Sequence, residues 1–209
     1  MRKLLFSLLL IGAFFLGFHF SKPQSGKKNL SYLREEKPIS ILLYAKDQEA
    51  WIEKSLRSSL EQDYENYQVI LIVDGSSDNT LELAKNLILE TGATARVLLI
   101  KNEIPIGYEA SIHEVLQDLD PSEIVLPFFA KDFLANELCL KKLNTLFVDP
   151  KVKIVSAKAI SYPTYDTKSC EIKAFRAPAF FKKAGEKKIY LKGKQAQTEE
   201  VLLLLNKAA

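Results

Sequence analysis

The sequence predicts an α/β domain built on a mostly parallel sheet flanked by helices, with an N-terminal hydrophobic helix ahead of it. Three observations carry that expectation. Residues 69–73 form an unbroken apolar run, V-I-L-I-V, of the kind found in strands buried on both faces. The run passes directly into Asp74-Gly75-Ser76-Ser77-Asp78-Asn79-Thr80, a stretch of turn-forming residues after which a helical pattern begins. Strand-like runs then alternate with helical patterns of roughly 10–15 residues, the signature of βαβ units.

The bulk properties suit one globular domain with an extension. The chain has 209 residues, 47% hydrophobic and 26% charged, enough to bury a sizeable core. Its 29 basic and 26 acidic residues are too balanced to favour nucleic acid as the partner. Two cysteines, Cys139 and Cys170, make neither a disulfide framework nor a metal-ligand set, and read as free thiols.

Residues 1–21 read as a membrane anchor or signal segment. Arg2 and Lys3 precede an apolar run over residues 4–20, at the border between a signal-peptide core and a spanning helix. The bulky sequence Gly17-Phe18-His19-Phe20-Ser21 offers no small-residue cleavage site, which favours an uncleaved anchor in a bacterial inner membrane over secretion after cleavage. Lys22, Lys27, Lys28, Arg34 and Lys37 place more positive charge after the run than before it, which leans towards a cytoplasmic domain. Residues 22–37 are polar and read as a linker, and residues 38–209 as the domain.

Within the domain, residues 39–43 form a buried first strand after Pro38. Asp47-Gln48-Glu49 reads as a helix start, with Ile52, Leu56 and Leu60 on one face. The run at 69–73 is the second strand. Its carboxyl end places Asp74 where open α/β sheets bind ligands. Asp78 reads as a cap for the helix at Thr80, whose apolar face is Leu81, Ala84, Leu87 and Ile88, with Gly92 as its C-terminal stop. Residues 97–100 are a third strand, and Ile112, Val115, Leu116 and Leu119 mark a third helix. Residues 124–129 complete the pattern as a fourth strand.

These motifs, in order and spacing, resemble the family 2 glycosyltransferases of the GT-A fold. The resemblance rests on Pro38-Ile39-Ser40-Ile41-Leu42-Leu43, then on Asp47, Glu49, Trp51, Ile52, Leu56, Ser59, Leu60, Gln62 and Tyr64. The acidic loop after Val73, with Gly107 and Ala110, completes it. It implies inverting transfer of a sugar from a nucleotide-sugar donor to a hydroxyl of a glycan, lipid or protein acceptor. It also implies a divalent cation, Mn²⁺ or Mg²⁺, against the departing diphosphate.

The resemblance implies that Asp74 accepts hydrogen bonds from a base or ribose, beside Tyr44, Asp47 and Gly107. Several positions depart from the family pattern. Tyr44 stands where Pro is frequent, Lys46 where an aromatic is common, and Val73-Asp74 where two acidic or amide residues are usual. The family's Asp-x-Asp pair, which holds the metal, is replaced by Phe129-Ala130-Lys131, and only Asp132 beside it remains acidic. Lys131 either stands in for the cation against the diphosphate or is a solvated loop lysine. With Asp132 as the sole candidate ligand, a catalytically silent nucleotide-sugar-binding or scaffolding relative is the alternative to a transferase.

Glu200 matches the family's catalytic base, with Glu199 orienting it, in a Glu-Asp-like pair opening a helix behind Thr198. The alternative is that both acids merely favour a helix N-terminus. His113 reads as a packed or surface residue rather than a donor contact. Phe175, Phe180, Phe181 and Tyr190 either shape an acceptor groove or belong to the core.

Overall fold

The computed structural model describes residues 35–162, 170–182 and 189–206. The expected anchor or signal segment, residues 1–21, and nearly all of the expected linker lie outside these residues. Among the described residues, no helix is long and apolar enough to cross a membrane.

The elements run β1 (Ile39–Ala45), α1 (Ile52–Leu60), β2 (Tyr67–Asp74), α2 (Thr80–Glu90), β3 (Val97–Asn102), α3 (Tyr108–Asp118) and β4 (Ile124–Phe129). Then follow β5 (Phe133–Leu134), α4 (Cys139–Leu146), β6 (Val152–Tyr162), β7 (Cys170–Arg176), β8 (Phe180–Lys182), β9 (Ile189–Leu191) and β10 (Lys194–Asn206). The main sheet has eight strands in the order β3-β2-β1-β4-β7-β6-β10-β5, and β8 pairs with β9 apart from it. From β3 to β4 the pairing is parallel throughout. β7 then joins β4 and β6 antiparallel, while β10 runs parallel to β6.

The apolar runs of β1 and β2 are continuous because both faces of the sheet are covered. Ile41, Leu43, Ala45, Val69, Leu71 and Val73 pack with α1, α2 and α4 residues such as Ile52, Leu56, Leu87 and Leu143. Leu42, Tyr44, Ile70 and Ile72 face the other way, towards Ile112, Val115 and Leu116 of α3. Side chains alternate along a strand, so Asp74 follows Ile70 and Ile72 onto the α3 side. Gly92 adopts the left-handed φ of 66° just past α2, the expected C-terminal stop.

Two expectations are adjusted here. The regular first helix spans Ile52–Leu60, and Asp47 lies ahead of it with a left-handed φ of 50°, while the Gln48 carbonyl already accepts from the Ile52 N–H at 2.9 Å, so the first turn opens at Gln48. The second correction concerns residues 198–203, which form part of strand β10 rather than opening a helix. The run Val201-Leu202-Leu203-Leu204-Leu205 is short and unbroken, a pattern that periodicity cannot assign to helix or strand. Its place between β6 and β5 settles it as a strand. Glu199 and Glu200 lie where the ladder slips: Gln197 pairs with Ser156 but Val201 with Lys158. The stretch is therefore a bulge rather than a regular rung.

Candidate functional site

The strand order runs outward from β1 to β2 and β3 on one side, while β4 lies on the other. Ligands of open α/β sheets bind at the carboxyl ends of the strands where the order reverses, here between β1 and β4. Tyr44 and Phe129 are register partners at that point.

Asp74 is fully buried, and all four hydrogen bonds found to its carboxylate come from protein donors. Oδ1 accepts from Asn102 Nδ2 at 2.7 Å and from the backbone N–H of Ile106 at 2.9 Å. Oδ2 accepts from the Tyr44 hydroxyl at 2.7 Å and from the Gly107 N–H at 2.8 Å. Asn102 is the register partner of Asp74 on β3, and Gly107 caps α3 with a φ of 90°. A carboxylate has about four lone-pair sites, and each has a donor here. Burial alone pushes this carboxyl up, but the bonds from Asn102, Ile106, Tyr44 and Gly107 together hold it below the ordinary range. The geometry gives Asp74 the work of fixing the β3–α3 loop and the Tyr44 ring.

Gly75 makes this loop possible. At φ 59° its missing Cβ would lie 2.5 Å from Pro105 Cδ and 2.6 Å from Pro105 N. Gly75→Ala should therefore destabilise the domain by about 2 kcal/mol or more, read as a lowered urea midpoint. A midpoint unchanged from the parent would show that the Pro105 approach is unimportant.

The loops after β1 and β2 are clasped by reciprocal bonds. Asp47 Oδ1 accepts from the Ser77 N–H at 2.8 Å, and the Asp47 N–H donates to Ser76 Oγ at 3.1 Å. Glu49 Oε2 accepts from the Asn79 N–H at 3.1 Å, while its own N–H donates to Asp78 Oδ2 at 2.9 Å. Asp78 Oδ1 accepts from the Thr80 N–H at 3.0 Å, the local role expected of it. These acids thus hold one loop against the other. Lys46 and Asp47 remain exposed at the rim.

At the end of β4 the chain turns tightly, with the Asp132 N–H donating to the Phe129 carbonyl at 2.9 Å. Asp132 is buried, and its own carbonyl accepts from Ser55 Oγ. Lys131 is half-buried in the turn. Phe129 instead faces outward, 42% exposed. Its ring stacks on Tyr108, the first residue of α3, with centroids 4.7 Å apart and planes at 29°. Tyr44 stands near-perpendicular to both, at 5.4 Å from Tyr108 and 5.9 Å from Phe129. Burial, with the nearby Glu109 charge, pushes the Tyr108 phenol up to about 12. Burial also raises Tyr44, reinforced by the Asp74 hydrogen bond and charge, so both rings stay neutral.

The residues present do not fit the cation that the resemblance implies. The phenylalanine ring has no ligand atom for a hard cation, and the Lys131 ammonium repels one. Among the described residues, no three His, Cys, Asp or Glu side chains cluster so as to hold a metal ion.

The structure thus brings Tyr44, Asp74 and Gly107 into one hydrogen-bonded unit. Asp47 is placed on the neighbouring clasp, and Lys131 and Asp132 on the β4 turn. The side chains of Glu199 and Glu200 lie outside what is described, as do those of Phe180, Phe181 and Tyr190; Phe175 is core. Cys139 is buried, its Sγ lies 3.8 Å from Asn136 Oδ1, and it forms no disulfide among the described residues. His113 is partly buried and lies beside Gln117 Nε2, 2.8 Å from Nδ1. Sequence reasoning missed Tyr108 and Asn102. An aromatic directly after Gly107, and an amide ending a strand next to Asp74, were the available signals.

The model of the family described as Glycosyl transferase family 2 matches residues 40–195. The chain belongs to this family. Two relatives, each named an uncharacterized glycosyltransferase of Haemophilus influenzae, support the assignment over shorter stretches. One is 30% identical over 111 residues, covering 51% of this chain and 41% of its own length. The other is 31% identical over 75 residues, covering 36% and 22%. The chain thus spans less than half the length of either relative.

Solved structures share the family 2 chain's fold. One is a mannosyltransferase, PcManGT, from Pyrobaculum calidifontis in complex with GDP-Man and Mn²⁺. It superposes with a TM-score of 0.57 at 19% identity, over 69% of this chain and 46% of that one. Another is S. aureus TarS 1-349 in complex with UDP-GlcNAc, with a TM-score of 0.61 at 16% identity, over 81% and 58%. At these identities the likeness establishes the α/β GT-A-like fold alone.

Proposed function

We propose that this family 2 chain binds a nucleotide-sugar donor at the β1/β4 switch point. In this reading it transfers the sugar to an acceptor hydroxyl, with inversion, and without a cation held at the end of β4. Family membership supports nucleotide-sugar transfer in general. The observation that carries the cation-free form is the replacement of the acidic pair by the Phe129 ring and the Lys131 ammonium at the switch point.

In this reading Asp74 acts by positioning. It holds Tyr44 and the Gly107 end of α3, so that the pocket wall is set before the donor arrives. Asp47 keeps the β1 loop against the β2 loop, and Asp132 sits in the turn that presents Lys131. The Lys131 ammonium faces the diphosphate and stabilises the leaving anion. Glu200 takes the acceptor proton from the β10 bulge. The acceptor is a glycan, lipid or protein hydroxyl, brought near by attachment of residues 4–20 to a membrane.

A second reading, silent nucleotide-sugar binding, is favoured by the same aromatic replacement. A transfer assay with the full chain and radiolabelled UDP- and GDP-sugars separates the two. Release or transfer of the sugar in EDTA supports the transferase, and binding without turnover supports the silent relative. Lys131→Ala should weaken a nucleoside diphosphate roughly tenfold and the bare nucleoside hardly at all, the loss of one charge-assisted contact. Equal effects on both would remove Lys131 from the diphosphate. Transfer that survives Glu200→Gln at the parent rate would dismiss Glu200 as the base.

A further inference from the structure

The ring group at the switch point is built as a rigid platform. Phe129 contributes an exposed apolar side from the end of β4, and Tyr108 backs it in a stacked arrangement from the start of α3. Tyr44 stands near-perpendicular to both and is itself anchored through its hydroxyl to Asp74. Ile104 and Ile106, 76% and 43% exposed, add apolar surface to the loop that leads into α3. A large exposed ring, already held by two neighbours, loses little freedom when a flat ligand covers it.

The buried carboxylate of the same region has little left to read a base edge. The Asp74 carboxylate spends its bonds on Asn102, Ile106, Tyr44 and Gly107. Asp47 Oδ1 and Glu49 Oε2 are committed to the loop clasp. Lys46, directly after β1, is exposed. Recognition that rests on ring faces tolerates every base, because each has a π-face. Recognition by paired hydrogen bonds does not.

We propose that Phe129, backed by Tyr108, is the stacking surface for the base of a nucleoside diphosphate, and that the site discriminates weakly between bases. The proposal rests on the nucleotide reading above and deepens it. It makes Phe129 a binding residue at a position where the family pattern has a metal ligand. The stack holds the base, and the Lys131 turn, which begins at the Phe129 carbonyl, follows within the same short segment.

The test is calorimetric titration of the full chain with UDP, GDP and ADP in EDTA, for the parent and for Phe129→Ala, Phe129→Leu and Phe129→Trp. The three diphosphates should bind within about threefold of one another. Phe129→Ala and Phe129→Leu should weaken all three by roughly 5- to 100-fold, the range of one base–aromatic stack, while Phe129→Trp retains binding. The leucine variant keeps apolar bulk, so it reads the stack even where alanine disturbs folding. Pyrophosphate binding should not change in any variant. A preference above about a hundredfold for one base, or diphosphate affinity unchanged in Phe129→Leu, overturns the stacking proposal and leaves nucleotide binding standing. Absence of binding by all three diphosphates overturns both.

Discussion

Asp74→Ala is expected to destabilise the domain by about 3 kcal/mol, a drop of roughly 10 °C in Tm. The substitution strips an acceptor from four donors at once: the Tyr44 hydroxyl, the Asn102 amide and the N–H groups of Ile106 and Gly107. Leaving buried donors unpaired costs more than the hydrogen bonds return when made. Asp74→Asn should cost less, because one carbonyl oxygen remains and the Tyr44 hydroxyl can turn to accept. Tyr44→Phe, which removes one donor and leaves the other three paired, should cost about 1 kcal/mol. Urea denaturation gives the order directly. An Asp74→Ala variant as stable as its parent would mean that the carboxylate is free, and that its role is to touch ligand after all.

The same carboxylate sets an acid limit. Its folded pKa is depressed, so its contribution is complete above the ordinary carboxylate pKa of about 4. The contribution is lost only as pH falls below that value through the lower folded pKa. Parent and Asp74→Asn should therefore converge in stability on acidification below about pH 4 and differ by a constant amount above about pH 5.

The second large effect is a gain. Phe129→Asp combined with Lys131→Asp restores carboxylates at i and i+2 in the β4 turn, the arrangement that holds a divalent cation in the family pattern. The double variant should bind Mn²⁺, and Mn²⁺ should tighten its hold on UDP by about tenfold or more, since the cation bridges carboxylates and phosphate oxygens. The parent should do neither. Electron paramagnetic resonance of Mn²⁺ distinguishes free from bound ion in both proteins. Tight Mn²⁺ binding by the parent would mean that ligands other than the end of β4 hold the metal.

The parallel half of the fold was legible because its physics is local. Apolar runs at 39–43, 69–73, 97–100 and 124–129 are long enough to mark buried strands, and the intervening helices show their period. The antiparallel half was not legible for the same reason. The run at 201–205 suits helix and strand equally, and only its neighbours β6 and β5 decide.

The site divides in the same way. Asp74 stood out as a charged residue ending an apolar strand. Tyr44 and Gly107 were expected beside it from the resemblance, while Asn102, its register partner on β3, and the Ile106 N–H emerge only once the strands pair. Asp47 suited a helix start by residue type, and nothing local announced its left-handed backbone. Tyr44, Tyr108 and Phe129 are far apart in sequence and form no pattern until β1, β4 and α3 meet.

The central claim is that the switch point holds a nucleoside diphosphate without a cation. Titration of the full chain with UDP and GDP, in EDTA and again with excess Mn²⁺, tests it most directly. The account predicts binding in EDTA, with dissociation constants that Mn²⁺ changes by less than about threefold. Binding that appears only with Mn²⁺, or tightens more than tenfold with it, would contradict the account and return a metal to the site.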